Sequence, residues 1–137
     1  MKPVIPAVKA VIIQDGKFLA LKRTQPENGK MDLPGSQMKY GETHAECLYR
    51  SVKVDTMLEV QPFILYDTWE IFLPEFQLTG VFYLVEMPKE KVITLSDEYI
   101  EYQFLPLEKE VLASIEPVFA ERMARWDFEA IRGFMNR

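Results

Sequence analysis

The sequence predicts an α+β protein, layered α/β/α around a mixed β-sheet. Three observations predict it: strand-like runs fall into two groups, one capped helix separates them, and a second helical pattern closes the chain. Val4 to Ile13 is rich in β-branched residues, Asp15-Gly16 is a two-residue turn signal, and Phe18 to Leu21 resumes an apolar run. Together they read as a hairpin. Gln25 to Lys30 is a polar loop, and Leu33-Pro34-Gly35 reads as a short strand entering a turn. Thr43 and Glu46 have the spacing of a capping box, in which each side chain accepts from the other residue's backbone N–H. A helix is therefore expected from there to about Met57, with Ala45, Leu48, Tyr49, Val52 and Thr56 on its apolar face. Val60 to Phe72 and Phe76 to Val85 read as a second strand pair, turning at Leu73-Pro74-Glu75. Tyr99 to Leu105 is a further strand and Leu107 to Leu112 a short helix. Pro117 to Met135 is expected as one closing helix, with Val118, Met123, Trp126, Ala130, Ile131 and Phe134 near one face.

Length and charge narrow the function. A chain of 137 residues has a single-domain length, so 1–137 is expected to be one domain. The net charge of −5 repels phosphate backbones and argues against general nucleic-acid binding. A phosphorylated small ligand would then need a cation or a local basic patch. Lys9, Lys17, Lys22, Arg23 and Lys30 make the N-terminal part locally basic, although solvated strand and loop lysines are the plainer reading. The one cysteine, Cys47, cannot close an internal disulfide, which points to a reducing compartment and a cytoplasmic location. No N-terminal signal pattern and no membrane-length apolar run is present.

The segment Leu33 to Leu58 carries the most information. It resembles the box of the Nudix (MutT-like) hydrolase family, which runs G, five residues, E, seven residues, then R-E-U-x-E-E-x-G-U, with U a bulky aliphatic. Glu42 and Arg50 fall in register, Val52 and Leu58 fill the aliphatic positions, and Asp55 stands for the last Glu of the pair. Four positions depart: Ser36 for Gly, Ser51 for the Glu after Arg, Val54 for the first Glu of the pair, and Met57 for the closing Gly. Met31 stands where the family often has Trp. Further on, Leu95 to Leu105 is similar to the family segment L-S-x-E-H-x-E-Y-x-W-V, with Tyr99 for His and Phe104 for Trp.

The resemblance implies a Nudix-like α/β/α sandwich that cleaves a nucleoside diphosphate linked to another group, using Mg²⁺ or Mn²⁺. It implies Asp55 and Glu42 as metal ligands, and Arg50 with Glu101 or Glu98 as catalytic groups. Gly35, Ser36 and Arg23 are implied as substrate contacts. Hard divalent cations take oxygen ligands, so such a site needs clustered carboxylates. The helix positions that would supply them are Ser51, Val54 and Asp55, and only Asp55 is a carboxylate. Two readings follow: a hydrolase weakened by the lost carboxylates, or a non-catalytic module that binds a nucleotide or phosphorylated metabolite. A homodimer is left open.

Plainer readings stand beside several of these. Asp55 also reads as an exposed polar residue near a helix end, and Arg50 as a surface partner of Glu46 four residues before it. His44 reads as a surface residue and Cys47 as an inert thiol. Trp69, Phe72, Phe76, Phe82 and Tyr83 could include a base-stacking wall, but strand aromatics are more often core. Trp126 is expected to pack the last helix onto the sheet.

Overall fold

The computed structural model describes residues 1–25, 28–89 and 91–135. Residues 26 and 27 of the expected polar loop lie outside them. The strands are β1 (Val4–Gln14), β2 (Lys17–Arg23), β3 (Ile64–Phe72), β4 (Gln77–Glu86) and β5 (Tyr99–Pro106). The helices are α1 (His44–Thr56), α2 (Pro117–Met123) and α3 (Phe128–Met135), with a 3₁₀ helix at Lys109–Ser114. The sheet order is β3-β4-β1-β2-β5. β1 and β4 run parallel and the other neighbours antiparallel, so the sheet is mixed, as expected.

Strand alternation builds two cores. Ala7, Val11 and Ile13 of β1 join Phe82 and Leu84 of β4 on one face, against Phe119, Met123, Trp126 and Ile131. Val8, Ala10 and Ile12 join Tyr83 and Val85 on the other, against Cys47, Leu48 and Val52 of α1. The α/β/α layering follows.

The capping box forms as expected: Glu46 N–H donates to Thr43 Oγ1 at 3.1 Å, and Thr43 N–H donates to Glu46 Oε1 at 2.9 Å. At the other end of α1, Met57 sits in the left-handed region, with φ 63° and ψ 10°. An L side chain there is strained, and Met57 is 57% exposed, so it loses little by truncation. Met57→Gly is expected to raise unfolding stability by about 1 kcal/mol. Urea unfolding measures this, and an unchanged midpoint would show that the cap is not strained.

The closing helix is two helices. Asp127 interrupts it: its carboxylate accepts from Ala130 N–H at 3.0 Å and opens α3. Lys109 covers the break, its ammonium donating to the Met123 and Trp126 carbonyls at 3.2 and 2.5 Å. The core face therefore differs from the one expected. Phe119, Phe128 and Met135 are buried with Met123, Trp126 and Ile131, while Ala130 is exposed. Trp126 does pack onto the sheet, edge-on to Phe82 at 4.9 Å.

β1 and β2 pair only beside their turn, at Ile13–Phe18 and Gln14–Lys17. Asp15 and Gly16 both have positive φ there, the geometry that matches strand twist. Past these pairs the segment from Met31 to Met38 inserts between the two strands. It exchanges Leu21–Asp32 hydrogen bonds with β2, and on its other side Pro34 and Ser36 carbonyls accept from Ala10 and Val8 of β1. The expected strand at Leu33 is thus a run of isolated bridges at Met31, Asp32 and Gln37. The second strand pair starts at Ile64, later than expected.

Candidate functional site

The inserted segment sets the site. Gly35 has φ +133°, and a Cβ there would lie 2.2 Å from the Val8 carbonyl oxygen. Only glycine brings this segment so close to β1. Its N–H donates to Asp55 Oδ2 at 3.0 Å, which ties the segment to α1.

Arg50 and Glu42 form a second tie. Arg50 Nε and Nη2 donate to the two Glu42 oxygens at 2.5 and 2.9 Å, and Nη2 also donates to the Gln37 carbonyl at 3.0 Å. Lys39 N–H donates to Glu42 at 2.7 Å. The Arg50 hydrogen bonds, with the Lys39 N–H behind them, hold the Glu42 carboxyl down to about 2. The expected Glu46–Arg50 pair does not form, because Glu46 is engaged in the capping box.

A buried ion cluster lies beneath. Asp32 is 1% exposed. Lys9 Nζ lies 3.1 Å from its Oδ1, and Arg23 donates to its Oδ2 at 2.6 and 3.1 Å. Leu33 N–H donates to Oδ1 at 2.7 Å, while Lys9 also donates to the Leu33 and Gly35 carbonyls. Burial acts to raise the Asp32 carboxyl, but the Lys9 and Arg23 charges outweigh it and hold it below its ordinary value. Lys9 is therefore not the solvated lysine expected. Sequence reasoning misses both Lys9 and Asp32 as site residues. The available signal is a lysine at a core-facing strand position between Ala7 and Val11, and an acid between the apolar Met31 and Leu33.

Asp55 is also buried, so its reading as an exposed helix-end residue is corrected. Burial pushes its carboxyl up to about 6; the Gly35 N–H and Lys9 pull the other way, and Glu98 and Asp32 add to the rise. The sign is opposite to the usual acidic case. Above about pH 6 the folded protein carries a buried charge that costs stability, and as pH falls from about 6 to 3.8 the folded state takes the proton first. Stability is expected to rise in that window. Asp55→Asn keeps the oxygen acceptor for Gly35 and removes the charge. It should add about 1–2 kcal/mol at neutral pH, after discounting for solvent screening, and flatten that window. Chemical denaturation at several pH values reads both effects; a variant that tracks the parent at every pH refutes this account.

A cavity of about 730 Å³ opens over these groups. Of the candidate residues, Arg23, Gly35, Ser36, Arg50 and Glu98 line it, while Glu42, Asp55 and Glu101 do not. Glu101 is exposed on β5 and accepts from Gln103 at 2.7 Å. One wall is apolar, with Ile71, Leu78, Val118 and the buried rings of Trp69 and Phe119. Trp69 lies over Gly80, where a Cβ would meet its ring at 2.0 Å, and meets Phe119 edge-on. Phe82 is core, Tyr83 faces the other core and Phe72 is exposed at a strand end, so this wall is not the open aromatic platform that the strand aromatics suggest. Cys47 is buried, with its thiol raised by burial and by Glu42.

A family model described as the NUDIX domain matches residues 3–127. The chain belongs to the Nudix family. Among solved structures it resembles a MutT protein from Methanosarcina mazei Go1, at 26% identity and TM-score 0.78, over 95% of this chain and 96% of that one. The E. coli ORF135 protein matches at 16% identity and TM-score 0.78, over 97% and 94%. An Ap4A hydrolase from C. elegans matches at 16% and 0.74, over 95% and 98%. These last two show a shared fold. No curated protein matches the sequence. Membership supports Nudix-type pyrophosphohydrolase chemistry in general, in a family that generally uses a divalent metal. No helix among the described residues is long and apolar enough to cross a membrane.

The Nudix-box positions do not fit a carboxylate cluster for such a metal. Ser51 is 2% exposed and its hydroxyl donates to the Cys47 carbonyl at 2.7 Å. Val54 is apolar and 60% exposed. Both Glu42 oxygens are held by Arg50, and one Asp55 oxygen by Gly35. Among the described residues no three His, Cys, Asp or Glu side chains converge in a way that could hold a metal ion.

Proposed function

We propose that this Nudix protein takes a nucleoside diphosphate linked to another group, and that it is a pyrophosphohydrolase of weakened turnover acting as one cytoplasmic domain. The observation that carries this reading is the cavity. It joins the box, through Gly35, Ser36 and Arg50, to an apolar wall whose chemistry suits a base or similar group. Arg23 and Arg50 face the phosphates, and Glu98 is the carboxylate placed to act on water. Glu42 has a positioning role through Arg50 and Gln37. The weakening follows from Ser51 and Val54, which lack the carboxylates that would hold cations against the charge developing on the phosphate oxygens.

A second reading is a binding module without turnover. The engaged Glu42, Ser51 and Asp55 favour it. Phosphate release from nucleoside triphosphates, dinucleoside polyphosphates and nucleotide sugars, with Mg²⁺ or Mn²⁺, separates the two. Slow release that Glu98→Gln removes supports the hydrolase. Release absent, or equal in both proteins, sinks it for that panel and leaves the module.

A further inference from the structure

We propose that the diphosphate is held directly by Arg23, Lys39 and Arg50, with no bridging divalent cation. The inference rests on the reading that the cavity takes a diphosphate-bearing ligand. It starts from a mismatch in the box: its carboxylates are replaced or already engaged, so the metal that would neutralise a diphosphate lacks its cluster.

Positive charge is present in another form. Among the described residues the cavity wall carries four cations, Lys9, Arg23, Lys39 and Arg50, in a protein whose net charge is −5. The opposing carboxylates on that wall are Asp32, Glu98 and Glu116. Asp32 is already neutralised by Lys9 and Arg23. Lys9 is saturated by two carbonyls and Asp32, so it serves the frame. The other three cations keep donors. Arg23 uses Nε and Nη2 on Asp32, and Arg50 uses Nε and Nη2 on Glu42 and Gln37. Each leaves Nη1 without a hydrogen-bond partner among the described residues, and the exposed Lys39 ammonium has none there either.

Both guanidiniums are held in place before a ligand arrives. Asp32 fixes Arg23 from the buried side, and Glu42 grips Arg50 through two oxygens. A guanidinium fixed in this way gives up little conformational freedom on binding, and its planar fork suits phosphate oxygens. Arg–phosphate contacts are charge-assisted and do not require a metal. Glu98, whose charge acts on Arg23, and Glu116 weaken the seat, but they leave the Nη1 donors and the Lys39 ammonium free.

Calorimetric titration with inorganic pyrophosphate tests this on the whole chain, in EDTA and in excess Mg²⁺. Pyrophosphate carries no base, so the result does not depend on which nucleotide the apolar wall prefers. The expected result is binding in EDTA that weakens with added salt and falls about tenfold in Lys39→Gln and in Arg23→Gln. Arg23→Gln disturbs the Asp32 cluster, whereas the exposed Lys39 side chain makes no hydrogen bond or ion pair among the described residues and acts on Glu42 through charge alone, so Lys39→Gln reads the seat without unfolding the protein. Binding that appears only with Mg²⁺ overturns the inference and leaves the diphosphate reading intact. Binding in EDTA that Lys39→Gln leaves unchanged also overturns it. Binding under neither condition overturns both.

Discussion

Asp32→Ala is expected to destabilise the protein by about 3–5 kcal/mol, because it leaves a buried ammonium without its counter-charge. Lys9 would retain the Leu33 and Gly35 carbonyls at 2.9 and 3.2 Å, but these carry only partial charge. Leu33 N–H would lose its acceptor at 2.7 Å. Arg23 suffers less, since half of its side chain already reaches solvent. A domain of ordinary stability has roughly 5–15 kcal/mol to lose, so this one change takes a large part of it. Urea unfolding gives the number, provided the slope is unchanged. A second variant separates charge from shape. Lys9→Met with Asp32→Leu removes both charges and fills both volumes, and it should be more stable than Asp32→Ala alone. If the double variant is the less stable of the two, or if Asp32→Ala costs under about 1 kcal/mol, the cluster is not what holds the inserted segment.

What the sequence shows about this fold depends on how local the cause is. The cap of α1 lies within four consecutive residues, Thr43 to Glu46, and its two hydrogen bonds are where the spacing puts them. The turn at Asp15-Gly16 needs positive φ at both residues, and those two residue types tolerate it. The single closing helix fails for a tertiary reason. Asp127 reads as one polar residue within a helical period, and the Lys109 ammonium that helps hold the break arrives from the 3₁₀ helix, distant in the sequence. The insertion of Met31 to Met38 between β1 and β2 is likewise invisible locally, because a hairpin signal fixes the first pairs of a ladder and says nothing of where its strands part.

The site divides in the same way. Glu42, Arg50 and Asp55 lie within one contiguous box, so their register is readable, and the structure ties the first two directly together. Choosing between Glu98 and Glu101 needs the pairing of β5. Lys22 faces Glu101 and Arg23 faces Tyr99, so an irregularity in the ladder falls between those pairs. Thr24 N–H then donates to the Glu98 carbonyl at 2.7 Å and holds Glu98 at the cavity. No residue pattern within Leu95 to Leu105 specifies that irregularity. Lys9 and Asp32 are separated by 23 positions in the chain, and their meeting depends on the inserted segment.

Gly35→Ala is expected to be at least as damaging, at about 4 kcal/mol or more, and to abolish binding in the cavity together with stability. Two effects add. At φ +133° an L residue is strained wherever it sits, and here its Cβ would also lie 2.2 Å from the Val8 carbonyl oxygen and 2.9 Å from Lys9 Cα. Both neighbours are backbone, so no side-chain rotation relieves the clash. The segment would have to leave β1, and the bonds that bracket the contact would stretch: Val8 N–H to Ser36 at 3.0 Å and Ala10 N–H to Pro34 at 2.8 Å. The Gly35 N–H would also move off Asp55, and its carbonyl off Lys9. Gly41 provides the control. Its φ is +87°, but a Cβ there meets nothing within 4 Å, so Gly41→Ala should cost only the strain of about 1–2 kcal/mol. Comparing the two midpoints in urea isolates the close approach from the dihedral. Equal losses would mean that Gly35 is required for its backbone conformation alone; a Gly35→Ala loss several-fold larger locates the requirement in the contact with β1, on which the cavity, the Asp55 tie and the Lys9 cluster all depend.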